Sequence, residues 1–154
     1  MELADYAFDA IDYKYLDRIR TLCEEHGSEL ILMKAPSTDP YYYDEWDEQI
    51  ASYAAKYGLK YFNFLHCTEE IGIDYMTDTY DEGKHLNYAG VEKLTRYFGS
   101  ILQSQCALPD HRGEAAYDAA WEEIVSFRDG MKRQQEAYLE THDSLKDFYY
   151  DIAK

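Results

Sequence analysis

Two short apolar runs constrain the fold of this chain most strongly. The first, "ELILMK" at residues 29–34, ends at the proline-containing loop "APSTDP", and the second, "LKYFNFL" at residues 59–65, is rich in aromatic side chains. Runs of this length that end in loops are typical of buried β-strands. Because a helical pattern precedes each run, we predict parallel strands joined by a helix in an α/β layered sheet, with right-handed crossovers.

Three helical patterns surround these runs, since apolar residues recur every three or four positions. Gly27 and Gly58 are stop signals for the first two helices, and Asn87 is a favourable N-cap residue for the third. The apolar positions are, in chain order, Ile11, Tyr15, Ile19, Leu22 and Cys23; then Trp46, Ile50, Tyr53, Ala54 and Tyr57; then Val91, Leu94, Phe98, Ile101 and Leu102.

The α/β pattern ends at "LPDHRG", residues 108–113, and a polar, helical segment follows. We predict an α/β domain over residues 1–107 and a C-terminal helical extension over residues 108–154, formed by one or two helices that pack on the domain. The apolar residues of this extension form two clusters, Tyr117, Trp121, Ile124 and Val125, and Leu145, Phe148, Tyr149 and Ile152.

The charge balance narrows the possible partners. The 31 acidic and 15 basic residues give a formal net charge of -16, which argues against nucleic acid or an anionic membrane surface as a partner. No apolar run approaches the roughly 20 residues that span a bilayer, and the acidic N-terminal segment does not resemble a signal peptide. We therefore expect a cytoplasmic chain. Its 3 cysteines show no zinc-site spacing, and Cys23 is expected to be buried.

The loop "TDTYDEGKHLNYAG", residues 77–90, gathers carboxylates and a histidine just before the third helix. Loops that follow the carboxyl ends of parallel strands are where α/β folds bind ligands. The spacing alone leaves three interpretations open: a solvated acidic loop, a catalytic acid–base pair and a metal site. The residues available to a metal are Asp74, Asp78, Asp81, Glu82 and His85, although no second histidine lies at helical spacing.

The block "TDTYDEGKHLNYAGVEKLTRYFGSIL" resembles the C-terminal block of SGNH (GDSL-type) hydrolases, and "ELILMKAPS" and "KYFNFL" resemble the strands before it. The resemblance covers residues 13–102. It implies a flavodoxin-like three-layer fold, no cofactor, and activity on acyl esters of carbohydrates or lipids. It also implies a Ser-His-Asp triad with His85 as the general base and Asp81 as its partner. The resemblance is most specific at Asp81, His85, Leu86, Asn87, Gly90, Lys93 and Thr95.

Two departures from the family pattern affect this expectation. Asp81 and His85 are one residue further apart than in the D-x-x-H motif of the family, so Glu82 is an alternative acid. In addition, no GDS-type turn carries a nucleophilic serine and no GxND segment supplies oxyanion donors. We therefore expect a truncated SGNH-hydrolase fold that is an inefficient esterase by itself. Ser37 lies in the loop after the first strand, but its proline turn is unlike a nucleophile elbow, and we expect Ser37 and Thr38 to cap the next helix.

A truncated fold favours a second hypothesis, a non-catalytic binding or assembly module. Two parallel strands are too few for an independent sheet, and the first would leave a hydrogen-bonding edge without a neighbour. The sequence therefore predicts either self-association through that edge or coverage of the edge by the C-terminal helices.

Overall fold

The computed structural model describes residues 5–38, 41–145 and 147–151. The chain is a mixed α/β protein in which helices predominate over a short two-stranded parallel sheet. It divides into two compact units, Met1–Thr68 and Glu69–Lys154. The domain boundary predicted after residue 107 stays a prediction.

The first unit contains the parallel strands that the apolar runs predict. Its elements are α1 (Ala10–Glu25), β1 (Ile31–Lys34), α2 (Asp44–Tyr57), β2 (Lys60–Asn63) and a 3₁₀ helix at Phe64–Cys67. Strands β1 and β2 pair in parallel with Ile31 opposite Lys60 and Lys34 opposite Asn63. Helix α2 connects them, which confirms the predicted strand–helix–strand order.

The core of this unit forms on the inner face of α2. Tyr53 and Ala54 on that helix are buried, as is Phe64 after β2. The Tyr53 hydroxyl donates to the Asp17 carboxylate at 2.8 Å and so links α2 to α1. Helix α2 ends where predicted, because Gly58 adopts a left-handed conformation with φ of 68°.

The predicted apolar face of α1 is largely exposed. Its residues Ile11, Tyr15, Ile19 and Leu22 keep between 50% and 55% of their surface accessible. Cys23 is only partly buried, so the expectation of a buried thiol is wrong. Periodicity correctly predicted the helix, but it carries no information on whether another element covers the apolar side.

The second unit is mainly helical. Helix α3 (Thr68–Ile71) begins at the last residue of the first unit, and α4 (Tyr88–Gln105) and α5 (Ala115–Leu139) lie within the second. Helix α4 begins directly after Asn87, as predicted. The apolar cluster of α5 remains exposed, with Trp121 retaining 60% of its surface. Beyond Leu139 the described residues form no further helix. None of the helices in the described ranges combines the length and apolar content needed to cross a membrane.

A buried glutamine joins the parts of the second unit. Gln135 on α5 is 3% exposed, and its side-chain oxygen accepts hydrogen bonds from the Tyr88 backbone amide at 3.0 Å and the Tyr150 hydroxyl at 3.3 Å. Leu145 is buried nearby in sequence, whereas Tyr149 is 87% exposed and Ile152 lies outside the described residues. Gln135 on α5 thus forms hydrogen bonds both with the start of α4 and with the C-terminal segment.

Candidate functional site

Residues 78–87 fold back on themselves as a short antiparallel turn, here called the 78–87 hairpin. The Asn87 amide donates to the Asp78 carbonyl at 2.9 Å, and the Tyr80 amide donates to the His85 carbonyl at 3.0 Å. Between these bonds, Thr79 lies opposite Leu86 in an antiparallel bridge.

The tip of the hairpin has an unusual backbone. Glu82 and Gly83 both have positive φ, 59° and 106°. This conformation suits glycine but costs a residue such as glutamate energy. The pair of positive-φ residues lets the chain reverse between Asp81 and His85, so the two side chains meet across the tip.

Asp81 holds the imidazole of His85 by two hydrogen bonds. Its Oδ2 lies 2.6 Å from His85 Nδ1, and its Oδ1 accepts the His85 backbone N–H at 2.8 Å. Because an ionised carboxylate can only accept, Nδ1 carries the hydrogen and Nε2 is left as an acceptor. The His85 side chain is 78% exposed, so a reacting group has access to the ring.

The same contact affects the ionisation of Asp81. Desolvation by itself raises the pKa of this carboxyl group, but the hydrogen bonds from the ring and backbone of His85 outweigh it. The pKa of Asp81 therefore lies below its ordinary value. Asp81 is consequently ionised at neutral pH, which is the state that stabilises an imidazolium formed on His85.

Asp78 anchors the base of the hairpin. Its side chain is 2% exposed, and Oδ2 accepts from Lys93 Nζ at 2.6 Å and from the Asp74 backbone amide at 2.8 Å. Lys93 also donates to the Gly72 carbonyl at 2.9 Å. The Lys93 ammonium group on α4 thus holds both Asp78 and the chain at Gly72, which precedes the hairpin.

Asn87 joins the other end of the hairpin to α4, and it is 1% exposed. Its side-chain oxygen accepts from the backbone amides of Ala89 at 2.9 Å and Gly90 at 3.2 Å, which caps the helix. Its amide nitrogen donates to the carbonyls of Thr77 at 2.7 Å and Thr79 at 3.2 Å. The Asn87 side chain therefore forms hydrogen bonds both with backbone amides at the start of α4 and with backbone carbonyls at Thr77 and Thr79.

Gly90 allows α4 to approach the hairpin closely. A Cβ atom at this position would collide with the Asp78 carbonyl oxygen and lie 3.0 Å from the Leu86 side chain. Any larger residue would have to displace the backbone of the hairpin base. The motif positions Asn87, Gly90 and Lys93 therefore share one structural role, which is to hold the 78–87 hairpin on α4.

The metal-site interpretation finds no geometric support. In the described ranges, no group of three or more histidine, cysteine, aspartate or glutamate side chains is arranged to hold a metal ion. The Asp78 carboxylate forms an ion pair with Lys93, and Asp74 Oδ1 accepts a hydrogen bond from the Met76 backbone amide at 2.9 Å. The five residues considered from the sequence thus have distinct structural roles.

A pocket of about 300 Å³ adjoins the tip of the hairpin. Two of its lining residues, Asp143 and Ser144, were not predicted from the sequence. They lie in an irregular segment about 60 residues further along the chain, where no helix or strand pattern places them. Its lining residues are Met76, Thr79, Tyr80, Asp81, Glu82, Lys84, Asp143 and Ser144.

Ser37 lies in the other unit, in the loop after β1. Its hydroxyl oxygen accepts a hydrogen bond from Lys34 Nζ at 2.8 Å. The N-cap of α2 is Tyr43, so the expectation that Ser37 and Thr38 cap that helix is wrong. The contact between Lys34 and Ser37 was not predicted from the sequence.

Comparison of the chain with models of known families, with curated proteins and with solved structures finds no match. The assignment to SGNH hydrolases therefore remains a hypothesis based on the motif residues.

Proposed function

We propose that the chain is an SGNH-hydrolase-like α/β domain, related to esterases and acyltransferases, in which His85 is the general base and Asp81 its orienting partner. The proposal includes a truncated form of the flavodoxin-like three-layer fold. One observation carries it: Asp81 Oδ2 lies 2.6 Å from His85 Nδ1 on a chain segment that resembles the catalytic block of that family. This contact leaves Nε2 in the state that accepts a proton.

In the proposed reaction, His85 Nε2 takes the proton of a nucleophilic hydroxyl as its oxygen attacks an ester carbonyl. The ionised Asp81 stabilises the resulting imidazolium, which then gives the proton to the departing alkoxide. The proposal assigns the serine and the oxyanion donors of the family to residues outside these 154. Hydrolysis by the isolated chain should accordingly be slow, since those groups supply most of the acceleration.

Hydrolysis of p-nitrophenyl acetate tests the role of His85, with His66 as the matched control. The assay uses a Ser37→Ala background, so that this hydroxyl cannot contribute. His66 is also exposed and has a carboxylate nearby, Asp47 Oδ2 at 3.6 Å from its Nε2. With water as the nucleophile, we expect the slow hydrolysis above the rate in buffer alone to be lost in His85→Ala and kept in His66→Ala. Equal rates in the two variants would contradict the proposal.

A second candidate function is assembly with another copy of this chain. It is favoured by the exposed apolar face of α1 and by β1, which among the described residues pairs with β2 alone. Both features leave surface that association would bury. We expect the mass measured by analytical ultracentrifugation to rise with protein concentration, and Ile19→Lys on α1 to weaken this rise. A monomer at every concentration tested would exclude the assembly function.

A further inference from the structure

Lys34 and Ser37 form a polar contact at the carboxyl end of β1. Lys34 is the last residue of the strand, and its Nζ donates to Ser37 Oγ at 2.8 Å and to the Ala35 carbonyl at 2.9 Å. Both side chains are partly buried, and Pro36 between them is fully buried. The buried proline holds the turn, so the amine and the hydroxyl stay within reach of one another.

The surroundings of Lys34 favour loss of its proton. Partial burial lowers the pKa of the Lys34 amine from its ordinary value, because desolvation penalises the ammonium form. Among the described residues no carboxylate forms an ion pair with it. The Tyr42 ring lies 5.5 Å from Nζ and favours the ammonium form, but the desolvation of the amine outweighs this contact and the pKa of Lys34 is lowered.

We propose that Lys34 and Ser37 are a base–nucleophile pair that accepts an acyl or phosphonyl group from an activated ester. A lysine in a desolvated setting is a known type of base for a serine hydroxyl. The pair lies in a loop at the carboxyl end of a parallel strand, where α/β folds place their reacting groups. This proposal does not depend on the role assigned to Asp81 and His85.

The steps balance with water as the only further reactant. Neutral Lys34 Nζ takes the proton from Ser37 as Oγ bonds to the carbonyl carbon of the ester. The bond to the leaving oxygen then breaks, and that oxygen receives the proton from Lys34. Water then attacks the acyl carbon as Lys34 accepts a proton from it. The bond from that carbon to Ser37 Oγ breaks, Oγ takes the proton from Lys34, and the carboxylic acid leaves.

Labelling with a fluorophosphonate tests the pair directly. Ser37 Oγ bonds to phosphorus, fluoride leaves, and the proton passes to Lys34 and then to solvent. Mass spectrometry of the full chain should locate the adduct on Ser37, and the labelling rate should reach half its maximum below pH 10.5, the ordinary lysine value. Lys34→Met and Lys34→Arg should each slow labelling by roughly 100-fold or more. The arginine variant keeps the charge and the donors but cannot accept a proton.

A matched control separates this pair from other serines. Ser52→Ala on α2 removes an exposed hydroxyl elsewhere in the first unit, and it should not change labelling. Labelling in Lys34→Arg at the wild-type rate would overturn the proposal, because Lys34 would then only stabilise the turn. An adduct absent from Ser37, or labelling lost in Ser52→Ala, would overturn it equally.

Discussion

Replacing Lys93 with methionine should lower the free energy of unfolding of the second unit by about 3 kcal/mol, because the Asp78 carboxylate would be left buried without its counter-charge. Asp78 is 2% exposed and accepts the Lys93 ammonium at 2.6 Å. Its remaining hydrogen bond, from the Asp74 amide, does not neutralise the charge. Urea denaturation followed by far-UV circular dichroism measures the loss.

Two variants establish the cause of this loss. Lys132 on α5 pairs with Glu92 at 2.7 Å on the surface, so Lys132→Met should cost at most about 1 kcal/mol. Adding Asp78→Asn to Lys93→Met should recover much of the stability, since a neutral amide needs no counter-charge and can still accept from Asp74. If Lys93→Met costs no more than Lys132→Met, the ion pair does not anchor the hairpin.

Asn87→Ala should lower the same free energy of unfolding by about 3 kcal/mol, the sum of two lost functions. Loss of the N-cap of α4 costs about 1 kcal/mol, and leaving the buried Thr79 carbonyl and the partly buried Thr77 carbonyl without this donor adds about 2 kcal/mol. Hydrogen exchange of the Tyr80 amide should accelerate as well, because its bond to the His85 carbonyl closes the hairpin above Asn87.

Asn87→Ser separates the two functions. A serine hydroxyl can cap the helix but is too short to replace the amide that donates to both carbonyls. We therefore expect this variant to recover about 1 kcal/mol of the loss. Wild-type stability in Asn87→Ser would show that the side-chain amide contributes nothing to the hairpin.

The sequence predicted the elements of the fold better than their environment. Local periodicity and the stop signals at Gly27 and Gly58 predicted the first two helices, and the short apolar runs predicted both strands. The burial of α1 could not be predicted in this way, since the pattern of Ile11 and Leu22 requires a helix but not a covering partner. The start of α2 was also missed. Tyr43 is its N-cap, and Asp44, Glu45 and Asp47 in the first turn complement the helix dipole.

The contacts of the candidate site were predicted in part. Spacing and resemblance predicted that Asp81 and His85 pair, and their side chains are in contact. The two positive-φ residues at the hairpin tip accommodate the additional residue between them. From the sequence, Asp78 belongs with the possible metal ligands, because a sequence does not show which lysine a carboxylate will contact. The pairing of Asp78 with Lys93 depends on the close packing of α4 against the hairpin. Gly90 permits this packing, but no local sequence pattern predicts it.

The ring tautomer of His85 tests the central claim most directly. Nitrogen-15 chemical shifts of the imidazole, measured at a pH where the ring is neutral, report which nitrogen carries the hydrogen. The contact with Asp81 predicts hydrogen on Nδ1 in the wild-type chain, and a shift towards Nε2 in Asp81→Asn. A wild-type ring that carries its hydrogen mainly on Nε2 would contradict the acid–base pair proposed for this chain.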